Sequence, residues 1–474
     1  MWLDEIADKV LLRNKKSYTL TTSVSPTGYM HIGKLRDIIL VYFFEKELLN
    51  RGKQVNSILF WDDFDVFHKG TYSPEITRQF GIPLSHVLCK NDTFLCDDYK
   101  RAFLNELNSL DIEFTNVISQ SKEYLAGKYF KYLMKCEEHL KCYSNIMKYY
   151  RGQDISQISF RSYCPKCWKV SVERGIFDNV YCQHCGNKLD NLVCNCKLPF
   201  RIEWAARWAE VNSDFEPIGR DHSIPKGVYY QSFDICKELF GVLPPESVSY
   251  EFVGFENSKK FSVSSGDAEL FSITNFLKVF PKEIILWLFF IIPPKRFMKI
   301  NILNKDEYLK IYKEYFQFIR VKKNSLYLKF NSLISNQLVP ESSSVVSEVF
   351  NFLKYRFDGK TCISKVQELF ASRLKNPDLI IYFINWQNLS NNVYELQTDK
   401  TLLNKLDHYD FFIYLSKLNS IHLSDLEKIE KYTAQLDSSE KKSCKEIIFG
   451  KTSMPPLSKM LYTFFDNIFE NKEK

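Results

Sequence analysis

The chain has 474 residues, a formal net charge of +7, 45% hydrophobic residues and 26% charged residues. These values are ordinary for a soluble protein of two to four domains, and the modest charge permits nucleic-acid binding without requiring it. The N-terminus lacks the basic and apolar regions of a signal peptide, and the most apolar run, residues 284–292, is too short to span a bilayer. We therefore expect a cytoplasmic protein without a membrane partner.

The first predicted elements are a strand, a Pro/Gly turn and a helix. An apolar, hydroxyl-rich run at 18–24 indicates the strand, the string SPTGYMHIGKLRD follows at 25–37, and apolar residues from 38 to 49 can line one face of a helix. Glycine lets the backbone approach an anion, and a helix N-terminus offers free N–H groups. His31 and Lys34 are one turn apart and can both reach a phosphate. The alternative is an ordinary strand-to-helix turn of an α/β protein.

A second, buried strand is predicted at residues 54–61, and it ends in the acidic string Asp62-Asp-Phe-Asp65. Strands that alternate with helices indicate a parallel, doubly wound sheet, on which ligands bind beyond the carboxyl ends of the strands. We therefore expect the turn at His31 and these aspartates to face one crevice. Taken alone, an acidic strand end is more often a solvated turn than a site.

Residues 97–151 have a helical pattern rich in Lys and Tyr, and a cysteine-rich module follows, with six of the thirteen cysteines between residues 164 and 196. Two CxxC pairs separated by fourteen residues supply four thiolates at a spacing typical of a structural zinc site. The expected ligands are Cys164, Cys167, Cys182 and Cys185. His184 is a competing ligand, and we treat Cys194 and Cys196 as non-ligands. The alternative is a motif that has lost its metal.

Two further sequence motifs carry side chains that are suited to binding a nucleotide. GRDH at 219–222 follows a strand-like run at 215–218, and a carboxylate at such a strand end can accept hydrogen bonds from both ribose hydroxyls. KKFSVSSGD at 259–267 combines lysines, hydroxyls and a glycine, which suits a mobile loop that clamps a phosphate in the transition state. Standing alone, the second string would be better explained as a flexible basic surface loop.

In chain order, these segments resemble those of class I aminoacyl-tRNA synthetases, in the form used by class I lysyl-tRNA synthetases. Residues 25–37 resemble the HIGH signature of that family, and 259–267 resemble its KMSKS loop. The strings WDDFD at 61–65, KLPFRIEWAARW at 197–208 and GRDH are similar to further segments of the lysyl enzymes. The resemblance runs from about residue 16 to residue 270 and thins out afterwards.

Several positions depart from the pattern of the family. Ser23 replaces a glycine beside the amino-acid pocket, Lys34 replaces an asparagine, and Asp37 replaces a glutamate. Next to Tyr229, the family's Ser, Asp, Thr and Gly are replaced by Val228, Tyr230, Gln231 and Ser232. No lysine follows Lys260 inside the KMSKS-like string. These departures fall on the expected lysine pocket and phosphate clamp.

The resemblance implies an α/β fold, a Rossmann-type doubly wound parallel sheet with a zinc-binding insertion, followed by an all-helical C-terminal region that binds the anticodon. It implies a catalytic domain at 1–100 and 197–300 that includes the KMSKS-loop region, a connective insertion with the four-cysteine module at 101–196, and the helical domain at 301–474. Apolar periodicity at Val345, Val349, Leu353 and Phe357 is typical of such helices.

The implied activity is ATP-dependent activation of L-lysine to lysyl-adenylate and transfer of the lysyl group to tRNA(Lys), with Mg²⁺ and a structural Zn²⁺ as metal ions. Neither a general base nor a covalent enzyme intermediate is needed, so catalysis rests on positioning and electrostatic stabilisation. The implied partners are ATP, lysine and tRNA. We adopt a monomer, although the sequence does not specify an oligomeric state.

The resemblance also implies roles for individual residues. The resemblance assigns the phosphate chemistry to His31, Lys34 and Lys260. ATP binding adds Pro26, Thr27, Gly28, Gly33, Gly219, Asp221, Ser262 and Ser264, with Asp221 on the ribose. Substrate binding falls to Ser23, Ser25, Asp37, Trp204, His222 and Tyr229, with Asp37 facing the lysine ammonium and Trp204 forming an aromatic wall. A tryptophan such as Trp204 is as often plain core.

Two alternatives remain open. The first is a paralogue that activates another amino acid or charges a non-standard acceptor, which the altered pocket allows. The second is a non-catalytic RNA-binding protein on the same fold. Retention of His31, Asp221 and Lys260 argues against the second alternative, because binding alone would not need all three.

Overall fold

The computed structural model describes residues 2–68, 72–89, 92–174, 181–189, 192–254, 271–334, 337–356, 363–390, 394–395 and 426–434, with a few short stretches between 436 and 463. Lys260, Ser262 and Ser264 therefore lie outside the described residues. The chain divides into two compact units, residues 1–277, 285–301 and 329–335 in the first, and residues 278–284, 302–328 and 336–474 in the second. No helix among the described residues is long and apolar enough to cross a membrane.

The strands, in chain order, are β1 (Ser17–Val24), β2 (Gln54–Trp61), β3 (Asn116–Ser119), β4 (Ser159–Tyr163), β5 (Val170–Arg174), β6 (Cys196–Lys197), β7 (Ile218–Gly219), β8 (Ser249–Tyr250), β9 (Val253–Gly254), β10 (Met298–Lys299), β11 (Tyr355–Arg356) and β12 (Tyr394–Glu395). The α-helices are α1 (Trp2–Leu11), α2 (Leu35–Asn50), α3 (Pro74–Thr77), α4 (Leu95–Ser109), α5 (Gln120–Leu125), α6 (Phe130–Glu138), α7 (Leu140–Arg151), α8 (Leu192–Asn195), α9 (Phe200–Val211), α10 (Arg220–Ser223), α11 (Val228–Asp234), α12 (Ile273–Val279), α13 (Lys282–Ile291), α14 (Lys305–Arg320), α15 (Ser325–Leu333), α16 (Ser343–Leu353), α17 (Ile363–Phe370), α18 (Leu379–Leu389) and α19 (Leu426–Ala434).

A parallel sheet lies at the centre of the first unit. β1 and β2 pair along their whole length, and β2 pairs with β3, both in parallel. Phe215 extends the parallel arrangement, since it bridges Leu20 on one side and Glu246 on the other, and β7 pairs in parallel with β8 just beyond it. The predicted strands at 18–24 and 54–61 are confirmed, and their carboxyl ends lie at the same edge of the sheet.

β3 lies within the range 101–196 that the sequence assigns to the insertion. Its hydrogen bonds to β2 show that the sheet continues into that range. A four-residue strand carries too short an apolar pattern to be separated by periodicity from the helices around it. The remaining domain bounds stay a prediction.

Helix α2 is held against the rest of the first unit by a buried arginine. Its side chains from Ile38 to Phe44 are almost all buried, and Arg36 is only 1% exposed. The Arg36 guanidinium donates to the backbone carbonyls of residues 292, 293, 294 and 296, with Pro293 at 2.8 Å. Those carbonyls belong to the turn that directly follows α13. Arg36 therefore fixes the helix that begins at the His31 turn.

The cysteine-rich insertion is built on an antiparallel sheet in which β4 lies between β5 and β6. Two contacts connect it to the loop that follows β2. The Tyr163 hydroxyl donates to the Phe64 carbonyl at 2.8 Å, and the Val170 amide donates to the Gly81 carbonyl at 2.8 Å. The insertion is thus packed beside the carboxyl end of β2.

In the second unit, helices dominate the described residues. Val345, Val349 and Leu353 are buried on α16, as the apolar periodicity predicts, while Phe357 lies outside the described residues. The parallel pair of β11 and β12 means that the unit is not entirely helical. Periodicity could not predict that pair, because each strand has two residues and the two lie far apart in the chain.

Candidate active site and cysteine cluster

A cleft of about 230 Å³ opens at the carboxyl ends of β1, β2 and β7. The predicted site residues that line it are Ser23, Ser25, Lys34, Asp37, Trp204, Gly219 and His222. Asp62 and Asp65 of the acidic string line it too, as expected, and so do residues that the sequence did not assign to the site, namely Thr22, Phe200, Arg207, Glu216, Pro217 and Tyr250. The two predicted strand ends therefore face one crevice, as expected for a parallel sheet.

The predicted phosphate-binding turn begins α2 through one turn of 3₁₀ helix at Ile32–Lys34. His31 caps that turn, since its Nδ1 accepts a hydrogen bond from the Gly33 amide at 3.1 Å. A Cβ atom at Gly33 would lie 2.9 Å from the His31 ring, so glycine is what allows the imidazole to lie over the turn. Burial, with the nearby Lys34 charge, lowers the pKa of His31 to about 4. The ring is therefore neutral at pH 7 and carries its proton on Nε2.

Asp37 lies in the first turn of α2, with its carboxylate in the cleft. Its donors are the Thr22 Oγ1 at 3.3 Å, the Tyr250 phenol and the backbone amides of Asp37 and Ile38. No lysine or arginine among the described residues forms an ion pair with it. Burial raises the pKa of Asp37 to about 6, and the Lys34 charge and the hydrogen bonds only partly oppose this effect. Asp37 is thus a carboxylate whose ionised form would be stabilised by a bound cation.

The other cleft carboxylates already have strong donors. Arg207, which is 1% exposed, forms an ion pair with Asp62. Glu216 accepts hydrogen bonds from the indoles of Trp204 at 2.7 Å and Trp208 at 2.9 Å, and from the Thr21 hydroxyl. Sequence patterns offered little warning of the ion pair, because Asp62 and Arg207 are 145 positions apart. The available signal was an arginine placed directly between an alanine and a tryptophan in the string at 197–208.

Asp63, the middle aspartate of the acidic string, is fully buried and does not line the cleft. It accepts hydrogen bonds from the Ser121 amide at 2.7 Å, the Ser119 hydroxyl at 2.7 Å and the Lys100 ammonium at 2.7 Å. These donors hold the loop after β2 against the end of β3. Asp62 and Asp65 are thereby placed at the cleft.

Aromatic residues form one wall of the cleft. The rings of Phe200 and Trp204 stack at 5.2 Å, and the His222 imidazole meets Trp204 edge-on at 5.4 Å. Tyr229 lies on the far side of Trp204, at 6.2 Å between ring centroids, and accepts a hydrogen bond from Ser247. Tyr229 lines a separate pocket rather than the cleft, so any effect on a ligand passes through Trp204.

The remaining predicted residues surround the cleft without lining it. Pro26, Thr27, Gly28, His31 and Gly33 form the turn at its edge, and Asp221 is exposed on the short helix α10. Both ends of the segment that contains Lys260 are anchored beside that turn. Phe271 accepts a hydrogen bond from the Ile32 amide at 2.9 Å, and Val253 lies next to Gly33.

The four predicted cysteines of the insertion come together. The sulfur atoms of Cys164, Cys167, Cys182 and Cys185 all lie within 4.8 Å of one another, with Cys164–Cys185 at 3.5 Å and Cys167–Cys182 at 3.6 Å. Tetrahedral zinc with Zn–S bonds of about 2.3 Å places its sulfurs about 3.8 Å apart, so the cluster fits that ion. Cys194 and Cys196 are not part of the cluster.

The backbone around the cluster favours thiolates. Burial alone would raise the pKa of Cys182, but backbone N–H donors of His184 and Cys185, together with hydrogen bonds from the Cys167 and Cys185 thiols, lower it to about 7. Gly186 has φ of 66° and donates to the Cys182 carbonyl at 2.8 Å, which closes the tight turn. Such N–H groups stabilise metal-bound sulfur and orient it. His184 is not among the clustered ligands.

The parallel sheet, with the His31 turn after β1 and carboxylates after β2, has the arrangement that the sequence predicts for the catalytic domain of a class I synthetase. The family model described as tRNA synthetases class I (K) matches residues 1–333, and the chain belongs to that family.

Curated relatives agree with the family. The chain is 30% identical over 348 residues to a lysine–tRNA ligase of Thermococcus kodakarensis, a match that covers 66% of this chain and 64% of the relative. It is 29% identical over 341 residues to a lysine–tRNA ligase of Borreliella burgdorferi, covering 68% of this chain and 64% of the relative. The chain thus spans somewhat less than two thirds of the length of these relatives.

Proposed function

We propose that the protein activates L-lysine with ATP and transfers the lysyl group to tRNA(Lys). The observation that carries this proposal is the Asp37 carboxylate, which lies in the cleft next to the predicted phosphate-binding turn and forms no ion pair with a described lysine or arginine. A buried carboxylate of this kind recognises an ammonium group. The family membership and the names of the curated relatives support the same reaction.

In the first step, a carboxylate oxygen of lysine attacks the α-phosphorus of ATP, and pyrophosphate leaves. Because the Gly33 amide occupies Nδ1 of His31, the Nε2–H is the group that donates to a phosphate oxygen. Lys34 adds a positive charge in the cleft. Lys260 belongs to a segment whose ends lie beside the same turn, which supports a role at the same phosphates. Mg²⁺ bound to ATP would add charge neutralisation.

The remaining roles follow from position in the cleft. Ser23 and Ser25 lie at the end of β1, where hydroxyls can bind the α-amino and carboxylate groups of the amino acid. Trp204 and His222 cover the aliphatic chain, and Tyr229 supports Trp204 from behind. Gly219 and Asp221 lie at the end of β7, where the ATP ribose would lie, and Pro26, Thr27, Gly28 and Gly33 form the turn around the phosphates.

ATP–pyrophosphate exchange with each of the twenty amino acids tests the proposal. We expect exchange with lysine, and little with norleucine, which has a similar chain without the charge. Exchange with another amino acid would instead identify a paralogue with a changed substrate. Absence of exchange with every amino acid, in protein that binds tRNA, would favour a non-catalytic RNA-binding role.

We also propose that the four-cysteine cluster holds a structural zinc ion. All four positions of a tetrahedral shell are taken by sulfur, so no position remains for a substrate or water. A reducing cytosol, where we place the protein, keeps such thiols available. The ion would hold the insertion packed beside the carboxyl end of β2.

We expect the purified, reduced protein to contain about one zinc per chain, and Cys182→Ser to lose it and destabilise the insertion, because the thiolate ligands and the local fold depend on each other. Metal analysis and limited proteolysis between residues 160 and 196 measure both effects. Cys89→Ser, outside the cluster, is the control and should keep the metal. Zinc-free wild-type protein would contradict the assignment.

The second unit is proposed to bind the anticodon and the first unit to bind the acceptor end of tRNA, as a monomer. The helical character of the described residues of that unit and the resemblance of the chain to the family support the anticodon role.

A further inference from the structure

The cleft contains a second carboxylate that forms no ion pair with a described lysine or arginine. Glu216 lines the cleft and is 5% exposed. Its backbone is held in the sheet, since its amide donates to the Glu246 carbonyl at 3.1 Å. Burying a carboxylate costs free energy unless polar groups compensate for the lost water. The activation step proposed above gives Glu216 no role.

The donors to Glu216 are two indoles and a hydroxyl. The Trp204 indole N–H donates to Oε1 at 2.7 Å, and the Trp208 indole N–H donates to Oε2 at 2.9 Å. The Thr21 hydroxyl also donates to Oε2. Trp204 and Trp208 lie one turn apart on α9, with their ring centroids 5.2 Å apart. An indole N–H can only donate and an ionised carboxylate can only accept, so each oxygen of Glu216 fixes one ring.

Only one of these two rings borders the cleft. Trp204 lines it, whereas Trp208 is fully buried and does not. Trp204 also contacts the rings of Phe200 and His222, but such contacts allow an indole to turn in its own plane. A hydrogen bond at the edge of the ring is directional and removes that freedom. The orientation that Trp204 presents to a ligand therefore depends on Oε1 of Glu216.

We propose that Glu216 is a positioning residue that determines selectivity for the length of the substrate side chain. By fixing Trp204, Glu216 holds the aromatic wall against which the aliphatic chain of lysine lies, without itself contacting the substrate. This inference rests on the proposed function and adds a residue that determines specificity. Glutamine cannot replace Glu216, because its amide offers one acceptor oxygen and an NH₂ donor that would face the second indole N–H.

Glu216→Gln is expected to raise the KM for lysine in ATP–pyrophosphate exchange by roughly tenfold, the effect of losing one hydrogen bond. kcat at saturating lysine and the KM for ATP should stay close to wild-type, because Glu216 does not contact the reacting atoms. Selectivity for lysine over ornithine should decrease, since the methylene by which they differ is usually worth roughly 10–200-fold in selectivity. Glu246→Gln, a carboxylate outside the cleft with a side chain 42% exposed, is the matched control and should have no effect.

A second substitution separates positioning from a general loss of stability. Trp208→Phe removes the donor that competes for the single oxygen of the glutamine, so Trp204 recovers its acceptor in the double variant Glu216→Gln/Trp208→Phe. The KM for lysine should then return toward that of Trp208→Phe alone. A double variant whose KM stays as high as that of Glu216→Gln would overturn the proposal.

The indole N–H resonances of ¹⁵N-tryptophan-labelled protein report these hydrogen bonds without any measurement of activity. The resonances of Trp204 and Trp208, assigned with Trp204→Phe and Trp208→Phe, should move in Glu216→Gln, and that of Trp204 should move back in the double variant. Moved resonances with an unchanged KM for lysine would overturn the inference, because the orientation of Trp204 would then not govern binding. Failure of the wild-type protein to activate lysine would instead contradict the proposed function. Unmoved resonances in Glu216→Gln would overturn the positioning role in either case.

Discussion

Asp37→Asn is expected to raise the KM for lysine by roughly 30- to 5,000-fold, because a bound ammonium would lose its counter-ion at a cost of about 2–5 kcal/mol. The KM for ATP should change little. The substitution keeps the shape of the side chain and its hydroxyl donors Thr22 and Tyr250. Asp37→Glu should be tolerated, since it restores the residue of the family. Steady-state exchange kinetics with lysine measures these effects.

Asp111→Asn is the matched control for that substitution, because Asp111 has φ of 57° just after α4, a conformation that asparagine tolerates. Normal lysine activation by Asp37→Asn would show that the carboxylate is structural. The lysine assignment would then lose its main support among the residues.

The Asp37 carboxylate also predicts that kcat/KM for lysine depends on pH. Burial raises the pKa of Asp37 to about 6, so the ionised form is lost as the pH falls through that value. Lysine keeps its ammonium charge throughout this range, and kcat/KM for lysine should therefore fall about tenfold per pH unit below pH 6. Asp37→Asn should show no such dependence. His31 remains neutral above about pH 4 and should not contribute.

His31→Ala is expected to slow adenylate formation by roughly 10²–10³-fold, the usual effect of removing one transition-state donor. Lys34→Ala should act at the same step, and the affinity for lysine should change far less in both variants. The His31 ring also accepts a hydrogen bond from the Gly33 amide. The substitution therefore removes a contact that holds the turn as well as the donor to the phosphate.

Pre-steady-state measurement of adenylate formation at saturating lysine distinguishes these effects from binding. His139→Ala, between α6 and α7, provides a control histidine outside the cleft. Unchanged adenylate formation in His31→Ala and Lys34→Ala would remove both residues from the phosphate chemistry.

Local sequence patterns were sufficient to predict several elements of the fold. β1 and β2 are continuous runs of strand-forming residues, and their observed bounds differ from the predicted ones by at most one residue. The His31 turn depends on neighbours within three residues, and the two CxxC pairs define their own tight turns. These features are encoded by short spacings, which a single sequence displays.

The three aspartates after β2 have different roles in the fold, and short sequence spacings do not predict this difference. The string predicts three similar carboxylates at a strand end, but each has a different partner in the fold. Asp63 is buried against residues 119–121, Asp62 pairs with Arg207, and Asp65 pairs with Lys197. The partners come from distant parts of the chain, so packing alone selects which aspartate is structural.

The sequence by itself determined the parallel sheet, the turn at His31 and the two CxxC pairs, because each depends on periodicity or on contacts within a few residues. Only the tertiary structure decided that Asp37 is a cleft carboxylate without an ion pair among the described residues, that Asp62 pairs with Arg207, and that Tyr229 packs against Trp204 outside the cleft. The charge balance and the shape of a cavity depend on residues that are far apart in the chain. They are therefore fixed only when the strands and helices pack together.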